Sequence, residues 1–450
     1  MKYQVYARHN LDKIPVYGRF SKEQVQSIRI VSEVLPFKTN NYVINELIDW
    51  DNYQVDPMFI LNFPQKEMLK PSQYKALAGM LEGNTSKADL AKYIHELHLT
   101  LNPHPAGQLE HNIPSLKGEK LSGIQHKYRE TMLFFPSQGQ TCHAYCTFCF
   151  RWPQFTGLNE LKFAMKQTNQ VVSYLKENPS ITDILITGGD PMVMKTETLK
   201  RYLEAFVNAD LPQLKTIRIG TKSLSFWPYR YLTDPDSAEL LDLFRRVNDR
   251  GIHVALMAHI NHPRELETDA VKEAIARIRE TGTQIRSQSP LLRHINDDPA
   301  VWADMWKKQV NLGIIPYYMF VARDTGAQSY FGVSLEEAHR IFNGAYQQVS
   351  GIGRTVRGPS MSAGPGKVRI VGITEVQGEK VFVLEFLQGR NPEWVGKPFF
   401  AAFDAKAQWL DDLVPAFGEK EFFYEKEYKK LLKVDKLPGH TLTPENKQYA

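Results

Sequence analysis

Met132-Leu-Phe-Phe135-Pro-Ser-Gln-Gly-Gln-Thr-Cys142-His143-Ala-Tyr-Cys146-Thr-Phe148-Cys149 is the stretch around which the chain is organised: a short apolar run, then a loop holding all three cysteines of 450 residues. An odd, clustered set makes no disulfide framework, and the opening Met1-Lys-Tyr-Gln-Val-Tyr-Ala-Arg8 has no apolar export signal. Three thiolates in one loop suit a metal ion or an iron–sulfur cluster. Three is one short of a closed tetrahedral site, and on a cubane cluster the shortfall leaves one iron open to a small molecule. Three alternatives stand beside that reading: a zinc site completed by His143 or another histidine, a cluster that only senses redox state, and three buried structural thiols that happen to be neighbours.

From Met132 onward, short apolar runs alternate with amphipathic stretches. The runs Met132–Phe135, Asp183–Thr187, Thr216–Gly220, His253–Met257, Gln284–Ser287 and Ile314–Val321 read as strands, and the stretches around 160–176, 195–208, 237–250, 266–280 and 299–312 as helices. Punctuation agrees. Asp236 and Glu239 are spaced as a capping box with Gly251 as the stop; Thr268 begins and Gly282 ends the next helix; Pro299 and Gly313 bracket the last. Six βα units in a row imply an α/β fold with a parallel sheet and right-handed crossovers. Such a sheet must bury both faces, so a barrel or partial barrel is expected, its chemistry at the strands' C-terminal ends.

Residues before about 125 read as a helical collar. Ser21 is a candidate N-cap for apolar positions at helical spacing (Val25, Ile28, Val31, Val34, Leu35), with Pro36 as the stop. Pro71–Leu81 and Ser86–Leu99 read as two more helices, and the proline-bearing 101–121 segment as a loop. After Val368, two alternating runs around Gln377-Gly378-Glu379 predict a hairpin, and the Lys- and Glu-rich tail from about 419 a peripheral helix without chemistry of its own. Hydrophobic residues make up 42% and charged residues 23%, an ordinary globular composition. A net charge of +5 without a basic block argues against nucleic acid, and no apolar stretch approaches a membrane span. A cytoplasmic location is expected, since an oxygen-labile cluster needs reducing surroundings.

A second motif, Ile186-Thr-Gly188-Gly189-Asp190-Pro191, directly follows a strand candidate, and paired glycines let backbone approach a ligand closely. Taken alone it is a plain strand-to-helix turn. The C-x3-C-x2-C spacing with an aromatic before the third cysteine, followed by this Gly-Gly-Asp, resembles the radical S-adenosylmethionine (SAM) enzymes. The segments Asp56-Pro57, His126-Lys127-Tyr128, Ile217-Arg218-Ile219-Gly220-Thr221, His259-Ile-Asn261-His262-Pro263-Arg264-Glu265 and Ser287-Gln288-Ser289-Pro290 narrow this. Over residues 56–372 the chain resembles lysine 2,3-aminomutase and its relatives.

That resemblance implies a partial (β/α)6 radical SAM barrel (126–350), between the N-terminal helical region (1–125) and a lysine loop with a C-terminal hairpin and helix extension (351–450). It implies a [4Fe–4S] cluster on Cys142, Cys146 and Cys149, and SAM contacted by Gly188, Gly189, Asp190, His259 and Gln288. It also implies pyridoxal 5′-phosphate (PLP). Lys367, in Gly364-Pro365-Gly366-Lys367, matches the family's Schiff-base lysine, and Lys127 and Tyr128 fall near the PLP phosphate. The relatives have an arginine where Lys127 stands, and another where Thr131 stands, which Arg129 is expected to replace. Arg151 matches the arginine that pairs with the substrate carboxylate, and Asp297 one of two aspartates holding lysine's side-chain ammonium. The second aspartate is Ser360 here, with Asp324 as a candidate substitute; the relatives' zinc-binding cysteines are absent. The implied reaction moves an amino group from C2 to C3 of lysine or a related polar amino acid. The partners implied are that amino acid, an electron donor of flavodoxin or ferredoxin type and a homo-oligomer, with no nucleic acid and no membrane. A radical SAM enzyme without PLP and a non-catalytic iron–sulfur sensor are the rival classes.

Overall fold

The computed structural model describes residues 1–102, 112–156 and 164–435. Its centre is an eleven-stranded sheet, numbered here in chain order: β1 Ile124–Tyr128, β2 Thr131–Phe134, β3 Asp183–Ile186, β4 Thr216–Thr221, β5 His253–His259, β6 Gln284–Leu291, β7 Ile315–Val321, β8 Arg357–Ser362, β9 Gly366–Val376, β10 Glu379–Gly389 and β11 Pro398–Ala402. Strands β2 to β8 are parallel neighbours throughout; β1 pairs antiparallel with β2, and β9 to β11 continue antiparallel from β8. All six expected barrel strands are present. The parallel run is one strand longer, because helix Leu335–Tyr346, capped by Ser334, carries the chain on to β8. The sheet therefore passes straight through residue 350, and the predicted C-terminal hairpin (β9–β10) is part of it.

Helices Thr196–Val207, Ser237–Asp249, Asp269–Arg279 and Pro299–Asn311 match the predicted ones; the first, expected over 160–176, begins only at Thr168 and runs to Glu177, with residues 160–163 of that prediction outside the described residues. Their sequences explain the packing. In Ser237–Asp249 the residues Leu240, Leu243, Phe244 and Val247 recur at 3-4 spacing and are all buried against the sheet, each burial worth roughly 1.5–3 kcal/mol. Gly251, Gly282 and Gly313 end their helices with φ of +79°, +81° and +73°, the left-handed backbone for which glycine is suited. Thr268 accepts from the Val271 amide, and Asp298 caps the helix that starts at Pro299. The capping box expected at Asp236 does not form. Its carboxylate is taken instead by the Thr196 amide (2.7 Å) and by Arg230 (2.8 Å), so that it ties two barrel helices together.

The first and last strands of the sheet do not pair with each other, so this is a partial barrel. The curl nevertheless brings the ends of the parallel run close: Lys127 on β1 donates through Nζ to the carbonyl of Ala363, in the turn between β8 and β9. The collar lies across the strands' C-terminal ends. Its helix Lys22–Val31 stops short of the predicted Leu35, yet Val34 and Leu35 remain buried. Pro71–Glu82 and Lys87–Leu101 form as predicted. A short antiparallel pair, Val5–Ala7 with Lys38–Asn40, and helix Pro57–Asn62 complete it. Asp56 caps that last helix and pairs with Arg264, joining collar to barrel. The tail is a helix over Glu425–Asp435. Among the described residues, no helix is long and apolar enough to cross a membrane.

Candidate active site

The cysteine loop follows β2, at the C-terminal end of the parallel strands, and the collar holds it by its backbone. Lys38 Nζ donates to the Cys142 carbonyl (2.6 Å) and the Thr141 hydroxyl (3.3 Å). The Tyr3 hydroxyl (2.7 Å) and Asn40 Nδ2 (3.3 Å) meet the His143 carbonyl. The Tyr145 amide reaches the Lys38 carbonyl, and the Thr147 amide and hydroxyl reach Leu61 and Ile60. These contacts fix where the three thiols stand. Burial pushes all three thiols up from their ordinary pKa, so thiolates there need a positive partner; an iron–sulfur cluster is one. Among the described residues no group of three His, Cys, Asp or Glu is arranged to hold a single metal ion. A cubane, which puts each cysteine on its own iron, fits the three-cysteine set.

Gly188 and Gly189 lie against that loop. The Gly189 amide donates to Gly139 (2.9 Å) and the Asp190 amide to Thr141 (2.6 Å). A Cβ on Gly189 would come within 2.6 Å of the Thr141 nitrogen, and one on Gly188 within 3.0 Å of the Gly139 carbonyl oxygen. The close approach for which the two glycines were singled out is thus made to the cysteine loop. Asp190 is buried and fully engaged. It accepts from the Thr221 hydroxyl (2.7 Å) and from the amides of Met192 and Lys222 (both 2.9 Å), while burial raises its pKa against those hydrogen bonds. It braces the turn.

His259, the last residue of β5, pairs in register with Gln288 on β6. The His259 ring lies 5.6 Å from that of Phe148, the aromatic before Cys149. Burial, helped by Lys222, lowers its pKa to about 3, which keeps the imidazole neutral. Beneath it Lys222 is buried against Glu265 (2.5 Å) and Asn261 (2.9 Å). Arg151 projects from the loop's exit, its guanidinium 4.2 Å from the Phe135 ring centroid. Its Nη1 is sequestered from solvent with no hydrogen-bond partner among the described residues. Burial lowers its pKa to about 10 although the neighbouring Cys149 opposes this. A guanidinium nitrogen buried without a partner is a site for a carboxylate.

A second layer lies deeper in the lumen. At the foot of β2, the Thr131 hydroxyl donates to Asp183 on β3, which also pairs with Arg218 on β4. Lys367, the second residue of β9, places its Nζ 3.9 Å from the Tyr318 ring centroid and 5.3 Å from that of Phe320, both on β7. Burial, then the charges of Arg218 and Arg357, lowers its pKa to about 7. Lys127 is lowered to about 7 by burial, Arg390 and Lys367. Tyr128 stands beside Lys127, their cation–ring distance being 5.4 Å. With its pKa lowered to about 7, the Lys367 amine is unprotonated far more often than an ordinary lysine, which makes it a better nucleophile for an aldehyde. Phe135, which carries Arg151, is four residues up the chain from Thr131, so the two layers stand roughly 13 Å apart along the strand direction.

Two expectations, those for Arg129 and for the setting of Lys367, are corrected, and the structure places Ser360, Asp324 and Asp297. Arg129 is exposed and does not replace the missing arginine; Arg218, reaching Asp183 from the adjacent strand, is the guanidinium beside Thr131. Lys367 sits on a strand, paired with Ser362, and the glycine-containing turn precedes it. Ser360 is fully buried and its hydroxyl donates to the Met319 carbonyl (3.3 Å). Asp324 lies beyond the end of β7 with a left-handed backbone, 3.9 Å from Arg323. Asp297 is half-buried in the loop after β6. Sequence reasoning overlooked Lys38, Arg357 and Arg390. Arg218 carried a legible signal: in Ile217-Arg218-Ile219 it alternates with residues buried on the opposite face.

The fold and the site together define a class of protein: a partial α/β barrel that presents a three-thiol loop at its strands' C-terminal ends and a lysine in its lumen. The chain is 30% identical over 398 residues to a protein of Aquifex aeolicus named "Putative L-lysine 2,3-aminomutase", covering 88% of this chain and 93% of that one. It is 23% identical over 331 residues to the L-lysine 2,3-aminomutase of Clostridium subterminale, 73% of this chain and 71% of that one. This chain belongs to the lysine 2,3-aminomutase family of radical SAM proteins. No family model matches it. Among solved structures, a radical SAM methyltransferase from Sphaerobacter thermophilus superposes with a TM-score of 0.34 at 17% identity, over 52% of this chain and 68% of that one, a likeness too slight to bear on topology.

Proposed function

We propose that the protein is an amino acid 2,3-aminomutase, an isomerase that moves an α-amino group to the β-carbon of lysine or a related polar amino acid. One observation carries the reading: the lumen beside the cysteine loop and Arg151, whose Nη1 is buried without a hydrogen-bond partner, also holds a lysine whose pKa burial lowers to about 7. Cys142, Cys146 and Cys149 would hold a [4Fe–4S] cluster whose open iron takes SAM; Lys367 would anchor PLP, with Lys127 and Tyr128 toward its phosphate. When bound, these groups supply a carbon radical that takes hydrogen from carbon and a conjugated aldehyde to which the migrating nitrogen attaches.

The chain's own residues do the positioning. Arg151 binds the substrate carboxylate beside the cysteine loop, and Asp297 faces the polar end of the side chain. Lys367 takes up and releases a proton at Nζ as it yields to the substrate amine and returns. His259, kept neutral, sits near the SAM position without adding charge, and Gln288 beside it on β6 offers hydrogen bonds there. The collar keeps water from a radical that would attack any misplaced C–H bond. An electron donor of flavodoxin or ferredoxin type supplies the reducing equivalent. The test is anaerobic, reconstituted protein incubated with SAM, reductant, PLP and a panel of amino acids, followed by chromatography for β-amino acids. A β-isomer lost in R151M supports the assignment. SAM cleavage with the whole panel unconverted refutes it.

A further inference from the structure

Beside the start of the cysteine loop lies a cavity of about 340 Å³, within the range of roughly 300–1,000 Å³ usual for small-molecule sites. Its wall is built from four places in the chain: Tyr3 and Lys38 of the collar, Thr141 to His143 of the loop, Met192 to Lys195 after β3, and residues between Trp227 and Asp236 after β4. Cys146 and Cys149 are not part of that wall. A cubane on three thiolates must touch all three, so this is not the room a cluster would fill. Gly188, Gly189, His259, Gln288, Arg151 and Lys367 do not line it either. Among the described residues the cavity meets the candidate active site only through Thr141, Cys142 and His143.

The wall carries charges of both signs that do not pair with each other. Lys38 Nζ has three hydrogens and directs two of them to the Cys142 carbonyl and the Thr141 hydroxyl. Lys195 is exposed at the rim, and neither ammonium is in an ion pair among the described residues. Asp236 is neutralised by Arg230 (2.8 Å). Asp234 is half-buried and accepts from a neutral donor, Trp227 Nε1 (3.1 and 3.2 Å), without a cation beside it among the described residues. His143 is 8% exposed, and its Nδ1 is buried with no hydrogen-bond partner. Polar atoms withdrawn from water normally have one. The rest of the wall is apolar, with Met192, Val193, Met194 and Trp227, and methionines adapt their shape to what they cover. Two ammoniums, one carboxylate and an apolar surface around one cavity complement a molecule that brings a carboxylate, an ammonium and an apolar body of its own.

We propose that this cavity is a second small-molecule site, apart from the lumen, for a free amino acid with an apolar side chain. The ligand's carboxylate lies between Lys38 and Lys195, its ammonium meets Asp234, and its side chain covers Met192, Met194 and Trp227. Charge-assisted hydrogen bonds at both ends of a zwitterion fix its orientation, and the apolar wall selects its side chain. This binding is independent of the reaction proposed for the lumen, and it holds whether or not that reaction takes place.

The experiment is titration calorimetry of the full-length protein, before and after cluster reconstitution, with L-leucine and L-phenylalanine. Two analogues of phenylalanine complete the set: hydrocinnamate, which lacks the ammonium, and phenethylamine, which lacks the carboxylate. At least one of the amino acids should bind, and each analogue should bind about tenfold or more weakly than phenylalanine, as expected for loss of a charge-assisted contact. K195M, at an exposed side chain whose loss the fold tolerates, should weaken amino acid binding about three- to tenfold. D234N keeps an acceptor for Trp227 Nε1 and loses the charge; it should weaken phenylalanine about tenfold and leave hydrocinnamate no weaker, with its unfolding midpoint showing the fold intact. R151M, which alters the lumen, should leave the binding within about twofold. Absence of binding by both amino acids at concentrations up to about 10 mM would overturn the proposal. Hydrocinnamate binding as tightly as phenylalanine would overturn it too, because the cavity would then be an anion site only. Binding lost in R151M and kept in K195M and D234N would place the amino acid in the lumen and overturn it as well.

Discussion

Gly189→Ala is the sharpest test of how the site is built. The new methyl would enter the space of the Thr141 backbone, 2.6 Å from its nitrogen and 2.7 Å from its carbonyl carbon, and backbone cannot swing aside as a side chain can. Overpacking of this kind costs roughly 1–3 kcal/mol. Relief requires the two segments to separate, which stretches the Gly189–Gly139 (2.9 Å) and Asp190–Thr141 (2.6 Å) hydrogen bonds, each worth about 0.5–1.5 kcal/mol. The expected destabilisation is therefore about 2–6 kcal/mol, with Cys142, one residue beyond Thr141, displaced. Urea titration gives the first number as a lower midpoint at unchanged slope, and iron per chain after anaerobic reconstitution reports the second. Gly372→Ala is the control. It lies in β9 without a left-handed φ, its Cβ would meet nothing within 4 Å, and its stability should stay within about 0.5 kcal/mol. Wild-type midpoint and full iron content in Gly189→Ala would show that the glycine pair does not hold the loop in this way.

Three further outcomes follow from the same geometry. Glu265 is wholly buried and accepts from Lys222 Nζ (2.5 Å), Asn261 N (2.7 Å) and His262 N (2.9 Å); Glu265→Ala strands a buried ammonium and should cost about 3–5 kcal/mol by denaturant titration, with a smaller loss in Glu265→Gln. Lys367 and Lys127 release their protons near pH 7 when folded and near 10.5 when unfolded. The unfolded chain thus holds more protons between those values, and stability of the cofactor-free protein should rise with pH across that window and level off below 7. The capture of pyridoxal by Lys367 should rise with a midpoint near 7; a midpoint above about 9 would contradict the buried-amine reading. Finally, Lys38→Met removes the donor to the Cys142 carbonyl, and a chelator should strip iron from the reconstituted protein about three- to tenfold faster while the unfolding midpoint moves little.

What was legible in the sequence followed from local rules. Strand and helix periodicity, prolines at first turns and glycines at helix ends each constrain a few adjacent residues, and Pro299, Gly251, Gly282 and Gly313 stand as their positions predict. The three-cysteine loop was legible because its chemistry is compressed into eight positions. Strand β8 was not. Arg357-Gly-Pro-Ser-Met-Ser has neither alternation nor β-branched residues, and it is a strand because β7 and β9 flank it. Asp236 fits a cap by spacing, but Arg230, six residues away, claims its carboxylate. The side-chain bonds by which the collar grips the cysteine loop join residues 87 to 140 apart in the chain, and Arg390 reaches the turn before Lys367 across 26; such pairings leave no periodic trace.

The seam between β1 and the turn after β8 has a mechanical consequence. Two barrel strands can part only by breaking a ladder of backbone bonds, whereas the seam is crossed, among the described residues, by side chains reaching over: Lys127 to Ala363 and Arg390 to Asn112. Such bonds contribute on the order of 1 kcal/mol apiece, within the range of thermal breathing. The wall of the partial barrel is therefore held least firmly beside the turn that leads into Lys367.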